Sequence, residues 1–388
     1  MCTSLATAPP AHIMNKTELT KEQAFLVLNA LPHIGPITLT RILSELGDDP
    51  RAVFSADARR LEEIQGVGPV ISATISGWAC HFDLAREEER MHQATTGFIS
   101  VQDADYPARL REIDSAPIGL YRKGGYAFNQ PNVAIVGSRR TTFYGQSVAK
   151  KLGAELAQLG FCVVSGLARG IDTAAHEGAL SVGGKTVAVL GNGIDIIYPP
   201  ENLGLYRQIA ESGALLSEFP FTRRADKQSF AMRNRIVSGM SDAVVVVESD
   251  VSGGAMITAR FAGEQGRLLF AVPGRIDQPS SAGCHQLIRD GATLLTGVDD
   301  LLSELSYLDG LRPAAIPEKS TGSTLLAASN LTSDEKKVYA SFAGGAILAS
   351  DQLSGLTELA TGQLSAALMM LELKRLIVKR ANGSYEAR

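Results

Sequence analysis

Three short segments of this chain combine glycine with hydroxyl residues, and two of them also carry arginine. Residues 137–140 read Gly-Ser-Arg-Arg, residues 165–170 read Ser-Gly-Leu-Ala-Arg-Gly, and residues 252–254 read Ser-Gly-Gly. Glycine lets a ligand approach the backbone closely. Arginine, hydroxyl groups and backbone N–H groups bind phosphate oxygens. These residue types therefore predict a site for a phosphate-containing ligand.

A cationic segment follows further along the chain. Residues 223–235 hold five cations against one acid, and Phe230 lies among them, where it can stack on a base. An arginine run is more often a solvated face, but its coincidence with glycine-rich loops favours a phosphate ligand. The residues predicted to contact that ligand are Gly137, Ser138, Arg139, Arg140, Ser165, Gly166, Arg169, Gly170, Arg223, Arg224, Lys227, Phe230, Arg233, Asn234, Arg235, Ser252 and Gly253.

The elements that position these residues are apolar runs alternating with helical patterns. The runs lie at 133–136, 161–164, 185–190, 243–248 and 268–272, and the first four end in polar loops, most of them rich in glycine. Uninterrupted apolar runs of this kind are typical of buried parallel strands. The pattern predicts an α/β fold with an extended Rossmann-like, doubly wound and mostly parallel sheet. Ligands bind at the carboxyl ends of such strands.

Composition shifts divide the chain further. Gly-Pro at 35–36 and again at 68–69, each before a helical pattern, resembles helix–hairpin–helix elements, with a compact helical cap as the alternative. Three helical patterns and an Asn-Gly hairpin near the end of the sequence resemble a winged helix. The predicted organisation is a disordered tail (1–16), a helical helix–hairpin–helix or SAM-like domain (17–97), a Rossmann-like core (98–309), a flexible linker (310–331) and a winged-helix domain (332–388).

Composition excludes several classes of protein. The formal net charge of the 388 residues is -4, so a polyanion must meet a local basic patch. Four widely separated cysteines without a CxxC pair argue against a zinc site or a disulfide framework and indicate a cytoplasmic protein. We find no signal-peptide pattern and no apolar run near the ~20 residues of a membrane helix. No metal, cofactor or membrane association is predicted.

The sequence offers a binding surface more readily than a reaction. Asp172 and His176 are spaced for one helix face, and a structural contact between them is favoured over a catalytic pair. Walker A, GxGxxG and nucleophile-elbow motifs are absent. We therefore predict no catalytic residues and no enzyme. The alternative is a Rossmann-fold enzyme that hydrolyses nucleoside monophosphates, but after Gly253-Gly254 its second-half glycine and catalytic glutamate are missing.

Six motifs in order resemble the DprA/Smf family of DNA-processing proteins over about residues 100–300. They are Gly137-Ser-Arg139, Ser165-Gly-Leu-Ala-Arg-Gly-Ile-Asp172 with His176, Gly191-Asn-Gly-Ile-Asp195 with Tyr198-Pro199 and Asn202, Ser217-Glu218 with Pro220, Arg233-Asn-Arg-Ile236, and Ala271-Val-Pro-Gly274. One departure is Gly283-Cys-His285, where the family usually has a small hydroxyl residue and asparagine.

The resemblance implies a protein that binds and protects single-stranded DNA without sequence preference. It also implies a homodimer formed through the Rossmann-like core, and loading of RecA recombinase for homologous recombination during competence and natural transformation. In the implied site, Arg139 and the Arg169 loop line the phosphate pocket and Phe230 stacks. The presumed recognition helix of the winged helix, residues 361–374, has no cation before Lys374, which favours protein contacts or accessory DNA contacts there.

Overall fold

The structure is a computed structural model. It describes residues 19–306, 331–342, 346–374, 376–380 and 383–387. The predicted tail at 1–16 and the predicted linker, apart from residue 331, lie outside the described residues. The chain divides into two compact units, residues 1–312 and 313–388. The finer division of the first unit into a helical domain and a core remains a prediction.

The described part of the first unit, from residue 19 onwards, begins with six α-helices, in agreement with the helical pattern. Thr20 and Gln23 form a capping box, with Thr20 Oγ1 accepting from Gln23 N at 3.1 Å. Gly35 and Gly68 are helix N-caps, each followed by proline at the first helical position, as the repeated Gly-Pro pattern indicates. The helices are α1 (Lys21–Ala30), α2 (Pro36–Leu46), α3 (Pro50–Ser55), α4 (Ala58–Glu62), α5 (Pro69–Ser76) and α6 (Leu84–Gln93).

A nine-stranded sheet follows in the spatial order β1-β2-β6-β5-β4-β3-β7-β8-β9. The strands from β3 onwards are parallel, while β1 and β2 form an antiparallel edge. The strands are β1 (Gly97–Ser100), β2 (Gly119–Lys123), β3 (Asn132–Val136), β4 (Cys162–Ser165), β5 (Thr186–Leu190), β6 (Ala214–Ser217), β7 (Ala243–Val246), β8 (Leu268–Ala271) and β9 (Thr293–Leu294).

Helices cover both faces of this sheet. Along β3, Val133 and Ile135 pack into one hydrophobic cluster and Ala134 and Val136 into another, because successive side chains of a strand point to opposite faces. The predicted mostly parallel α/β fold is confirmed. The helices are α7 (Ala108–Arg111), α8 (Phe143–Gln158), α9 (Ile171–Ser181), α10 (Leu203–Ser212), α11 (Lys227–Gly239), α12 (Gly254–Glu264), α13 (Pro279–Arg289) and α14 (Val298–Glu304).

The chain reverses its direction of growth across the sheet at β3. The strands β4, β5 and β6 are added on one side of β3, and β7, β8 and β9 on the other. The loops that leave β3 and β7 therefore separate, and a crevice opens between them at the carboxyl ends of the two strands. This topology supplies the site considered below.

The helical region packs on the β2 side of the sheet and on the loop before α11. Glu87 is buried, and its Oε1 accepts hydrogen bonds from Tyr121 Oη and Phe221 N, both at 2.8 Å. Asn29 Nδ2 donates to Glu218 O at 2.8 Å. The segment that leads into α11 is thus held by side chains from the helical region.

The second unit contains the helices and strands predicted for a winged helix. It contains α15 (Ser333–Ala340), α16 (Ser350–Thr357) and α17 (Thr361–Leu373), with antiparallel strands β10 (Ile347–Leu348), β11 (Ile377–Lys379) and β12 (Tyr385–Ala387). Leu364, Leu368 and Leu371 are buried on one face of α17. Residues 381 and 382, in the predicted Asn-Gly turn, lie outside the described residues. In the described part of the chain, every helix is too short or too polar to cross a membrane.

Candidate functional site

A crevice of about 630 Å³ lies where the loops after β3, β4 and β7 meet the side of α11. It brings together most of the residues predicted from the sequence. The predicted residues that line it are Gly137, Ser138, Arg139, Arg140, Gly166, Lys227, Phe230, Arg233, Asn234, Ser252 and Gly253.

The loop after β3 is held by Glu248, a buried carboxylate just after β7. Its Oε2 accepts from Thr141 Oγ1 at 2.6 Å and from Thr142 N at 2.9 Å. Its main-chain oxygen accepts from Ser138 N at 2.7 Å. Ser138 Oγ in turn accepts from Arg140 N at 3.0 Å. This loop therefore has a fixed conformation, and its two arginines stay exposed at the crevice.

The loop after β4 is held by Asp172, which lies in the first turn of α9. Asp172 Oδ2 accepts from Gly166 N at 3.1 Å and from Ala168 N at 3.3 Å. Burial raises the pKa of Asp172, while Arg233 and these N–H groups act in the opposite direction. Gly170 has φ 79°, and a Cβ there would lie 2.4 Å from Ser138 O. Asp172 thus organises the loop, and Gly170 lets the two loops pack together.

One face of α11 forms the wall opposite these loops. Lys227, Phe230, Arg233 and Asn234 recur at intervals of three or four residues, the spacing that places side chains on one helical face. The helix begins at Lys227, so most of the cationic segment is helical. Its N-cap is Asp226, whose Oδ1 accepts from Ser229 N at 2.7 Å.

Arg233 lies at the base of the crevice and is 3% exposed. It donates from Nη1 to Val189 O, and among the described residues its Nε has no hydrogen-bond partner. A Cβ on Gly166 would lie 1.8 Å from Nη1, so only glycine leaves room for the guanidinium. Burial lowers the pKa of Arg233 to about 10 and Asp172 opposes the shift, so the side chain is cationic at neutral pH. A buried N–H without a partner is costly, and a phosphate oxygen in the crevice would provide one.

Phe230 contacts both a cation and a second aromatic ring. The guanidinium carbon of Arg139 lies 4.9 Å from the centre of the Phe230 ring, a cation–π contact on the crevice side. The ring of Tyr198 lies 5.5 Å from that of Phe230, with the planes inclined by 43°. Phe230 therefore has a cation on one side and a second aromatic ring close by.

The exposed cations of the crevice have no carboxylate partner in the described part of the chain. Arg139, Arg140 and Lys227 make no ion pair with any residue that the structure describes. An exposed cation with no partner retains its full attraction for an anion, whereas a paired one must first give up its carboxylate. The crevice is therefore the part of the core best suited to phosphate groups.

The remaining predicted residues lie outside the crevice lining. Ser165 is buried and donates to Ile135 O at 2.6 Å, and Arg235 is buried in an ion pair with Glu218 at 2.6 Å. Arg169 and Arg223 are exposed but are paired with Glu201 and Asp226 respectively. Gly170 packs between the loops as described above, and Arg224 lines a neighbouring cavity.

Other polar residues named from the sequence hold the backbone. His176 Nδ1 is 2.6 Å from Thr186 Oγ1, so its partner is Thr186 rather than the expected Asp172. Burial lowers the pKa of His176 to about 3, which keeps the ring neutral. At the position where the sequence departs from the family pattern, Cys284 is buried and His285 Nε2 is 3.0 Å from Gly274 O. These residues stabilise turns and helix packing.

Two residues important to the site were missed from the sequence. Glu248 was treated only as the end of a strand, although a carboxylate directly after an apolar run indicates a buried acceptor for a neighbouring loop. Tyr198 was quoted only within a motif, although its ring is 38% exposed beside Phe230. Among the described residues, no cluster of three His, Cys, Asp or Glu side chains is placed to hold a metal ion.

Two protein-family models together match most of the chain. Residues 97–306 match the family model described as DNA recombination-mediator protein A, and residues 324–383 match the DprA winged helix domain. The chain is 33% identical to the Smf protein of Synechocystis sp., over 95% of this chain and 99% of that protein. It is 42% identical to the DNA processing protein DprA of Streptococcus pneumoniae, over 54% of this chain and 74% of that protein.

Two solved structures are similar to this fold. The X-ray structure of DNA processing protein A from Streptococcus pneumoniae has a TM-score of 0.65 at 34% identity, covering 73% of this chain and 97% of that one. DNA processing protein A from Helicobacter pylori, whose structure was described for its single-stranded DNA binding mode, has a TM-score of 0.50 at 31% identity. That match covers 55% of this chain and 96% of that one.

Proposed function

We propose, because this chain belongs to the DprA/Smf family of DNA-processing proteins, that it binds single-stranded DNA in the crevice between β3 and β7. The observation that carries this proposal is the set of exposed cations around the glycine-rich loops, which have no ion-pair partner among the described residues, with the buried Arg233 beneath them. These groups recognise phosphates, which are common to every sequence. The bound strand is therefore held without sequence preference.

Each wall of the crevice has a distinct part in binding. The exposed cations Arg139, Arg140 and Lys227 attract the backbone from solution, and Arg233 receives a phosphate oxygen at the base. The N-terminus of α12 adds backbone N–H groups, because its N-cap is Gly253 and no side chain caps it. Phe230 provides an aromatic surface for a base. A flexible single strand meets these requirements better than a rigid duplex, whose bases are already stacked.

The relatives support this ligand and extend the role. The Helicobacter pylori protein was described for its single-stranded DNA binding mode, and the matching family is described as a recombination mediator. We infer that this chain protects incoming DNA and loads RecA recombinase during natural transformation, acting in the cytoplasm. We also infer a homodimer formed through the Rossmann-like core, since two linked crevices would raise the overall affinity ~100-fold or more.

The role proposed is binding, without catalysis of its own. Incubation with nucleoside monophosphates should release no free base, whereas release would favour a nucleotide hydrolase. RecA loading is tested on a strand coated with single-strand binding protein, where this protein should shorten the lag before RecA hydrolyses ATP. An unchanged lag would limit the role to protection of the strand.

The binding proposal is tested by fluorescence anisotropy with a labelled single strand of about 35 nucleotides and a duplex of equal length. We expect tight, salt-sensitive binding of the single strand and weaker binding by Arg139→Ala. Equal affinity for duplex and single strand would contradict the proposed preference for a single strand. Wild-type affinity in the Arg139→Ala variant would mean that the strand binds outside the crevice.

A further inference from the structure

One cation beside the crevice is already occupied by a carboxylate. Arg169 lies in the loop after β4, next to Ala168, which lines the crevice. Its Nη2 donates to Glu201 Oε2 at 3.1 Å, and its Nε donates to Glu201 Oε1. A guanidinium that donates two hydrogen bonds to one carboxylate presents the same fork that it would present to a phosphate. Glu201 therefore takes the place at Arg169 that a phosphate group of a strand would take.

The loop that carries Arg169 packs directly on a loop that lines the crevice. A Cβ on Gly170 would lie 2.4 Å from Ser138 O and 3.2 Å from the Cα of Arg139, so the two backbones are in close contact. Arg169 therefore lies beside the loop that presents Arg139 to the crevice. If its guanidinium were released from Glu201, the same edge of the crevice would gain a further cation.

The ion pair joins two segments that are fixed relative to each other. Asn202, directly after Glu201, is buried, and its Nδ2 donates to Leu167 O at 3.0 Å and to Thr173 Oγ1 at 2.9 Å. The segment that carries Glu201 is thus bonded to both sides of the Arg169 loop. The two side chains are 49% and 53% exposed. The fixed backbones favour the pair, while this exposure allows an anion from solution to compete for the guanidinium.

The fold gains little from the carboxylate of Glu201. Among the described residues, Arg169 is the only other residue that donates a hydrogen bond to it. Asp226 differs in this respect, because it pairs with Arg223 and also caps α11. Exposed ion pairs contribute little to stability. An acid with so small a structural role, at the edge of a site for phosphates, is expected to act on binding.

We propose that Glu201 is an affinity-determining residue, which holds Arg169 away from the phosphates of a bound strand and so limits how tightly the crevice binds single-stranded DNA. The inference rests on the proposed function, because it requires a strand in the crevice. It adds to that function an upper limit on affinity. Such a limit suits a protein that must pass its strand on, since differences in affinity between related complexes arise mostly in the dissociation rate.

The size of the limit follows from counterion release. The cations that line the crevice are Arg139, Arg140, Lys227 and Arg233. If each neutralises one phosphate, log affinity falls with log salt at a slope of about -2.8. Glu201→Gln keeps the size of the side chain and removes its charge, so Arg169 becomes available and the slope should steepen to about -3.5. Relative to binding at about 1 M salt, one added contact strengthens binding roughly 5-fold at about 100 mM.

The test is a salt series of anisotropy titrations with a labelled thymidine oligonucleotide. Glu201→Gln should bind it roughly 5-fold more tightly than the wild type at about 100 mM salt, with the steeper slope. The double variant Arg169→Gln/Glu201→Gln should lose this gain, because the released cation is absent. Glu63→Gln is the matched control, since its carboxylate is also 53% exposed and paired with an arginine but lies in the helical region. It should bind as the wild type does.

Each variant can overturn the proposal. Wild-type affinity in Glu201→Gln would show that its carboxylate does not limit binding. An equal gain in Glu63→Gln would mean that the net charge of the protein sets the affinity. A gain that persists in the double variant would mean that Glu201 repels the strand directly and does not act through Arg169.

The dissociation rate provides a second readout. A local phosphate contact slows release of the strand, whereas a change in the long-range field mainly alters the association rate. In stopped-flow mixing of the labelled complex with excess unlabelled strand, release from Glu201→Gln should be roughly 5-fold slower than release from the wild type. A gain confined to the association rate would overturn the proposal.

Failure of this inference is distinguishable from failure of the proposed function. If the wild type binds the single strand and Arg139→Ala weakens that binding, while Glu201→Gln changes nothing, the crevice binds DNA and the role of Glu201 is refuted. If the wild type does not bind the single strand, the proposed function itself is refuted.

Discussion

Replacement of Lys227 by glutamine separates the function of the crevice from its stability. Lys227 is the first residue of α11, and it makes no ion pair with any described residue. A cation at a helix N-terminus opposes the helix dipole, at a cost of about 0.3–1 kcal/mol. Lys227→Gln should therefore leave the free energy of unfolding unchanged or raise it slightly, while removing one phosphate contact. Because Lys227 destabilises the helix but lines the crevice, we expect its role to be binding of the ligand.

The size of the effect follows from the number of cations. Four of them, Arg139, Arg140, Lys227 and Arg233, line the crevice. If each neutralises one phosphate of a single strand, log affinity falls with log salt at a slope of about -2.8, and at about -2.1 without Lys227. Between about 50 and 200 mM salt, affinity should then fall roughly 50-fold for the wild type and roughly 20-fold for Lys227→Gln.

The assay is a salt series of anisotropy titrations with a single strand, accompanied by thermal unfolding of each protein. Lys185→Gln is the matched control, because Lys185 precedes β5 at the opposite end of the parallel strands and donates to Ser212 O. It should keep the wild-type slope. An unchanged slope for Lys227→Gln, or an equally reduced slope for Lys185→Gln, would refute the assignment of phosphates to the crevice.

Three further predictions follow from the geometry of the site. Gly166→Ala should displace Arg233, lowering the free energy of unfolding by about 1–3 kcal/mol and weakening strand binding. Gly204→Ala, at a helical position with nothing within 4 Å, should do neither. Glu87→Ala should destabilise the protein by at least ~2 kcal/mol in denaturant titrations, because Phe221 N and Tyr121 Oη lose their acceptor, and Glu87→Gln should retain most of that stability. His176 is neutral when folded, with its pKa lowered from 6.5 to about 3. The unfolded chain therefore binds an extra proton below pH ~6.5, and stability should fall by up to about 1.4 kcal/mol per pH unit as the pH drops toward 3. His176→Gln should have a flatter pH dependence over that range, and an equal slope would contradict the assignment.

The architecture of the core was predictable because its signals are local. Each apolar run forms a strand within about two residues of its predicted limits, and each glycine-rich loop follows its strand directly. Parallel strands bring their carboxyl ends to one edge, so segments distant in the sequence, such as Gly137 and Gly253, meet without further information. The capping box at Thr20 and the two Gly-Pro turns were recognisable for the same reason.

The cationic segment shows where sequence reasoning was insufficient. Arg233 and Arg235 were treated as members of one basic patch, but two residues that are two apart on a helix do not share a face. Arg233 lies in the crevice, while Arg235 points to Glu218. Because residues 223–235 were treated as one cationic segment, this difference was not used. The loop residues Arg169 and Arg223 could not be sorted from the sequence, since their partners are set by tertiary contacts.

The two faces of α11 connect the helical region to the proposed DNA site. Arg233 on one face lines the crevice, and Arg235 on the other is paired with Glu218, whose main-chain oxygen accepts from Asn29 of α1. The helical region also holds the segment before α11 through Glu87. Both sets of contacts therefore support α11, the helix that carries Lys227 and Phe230. This support accounts for the packing of the helical region without assigning it phosphates of its own, because Glu87 and Asn29 both bond to the segment before α11.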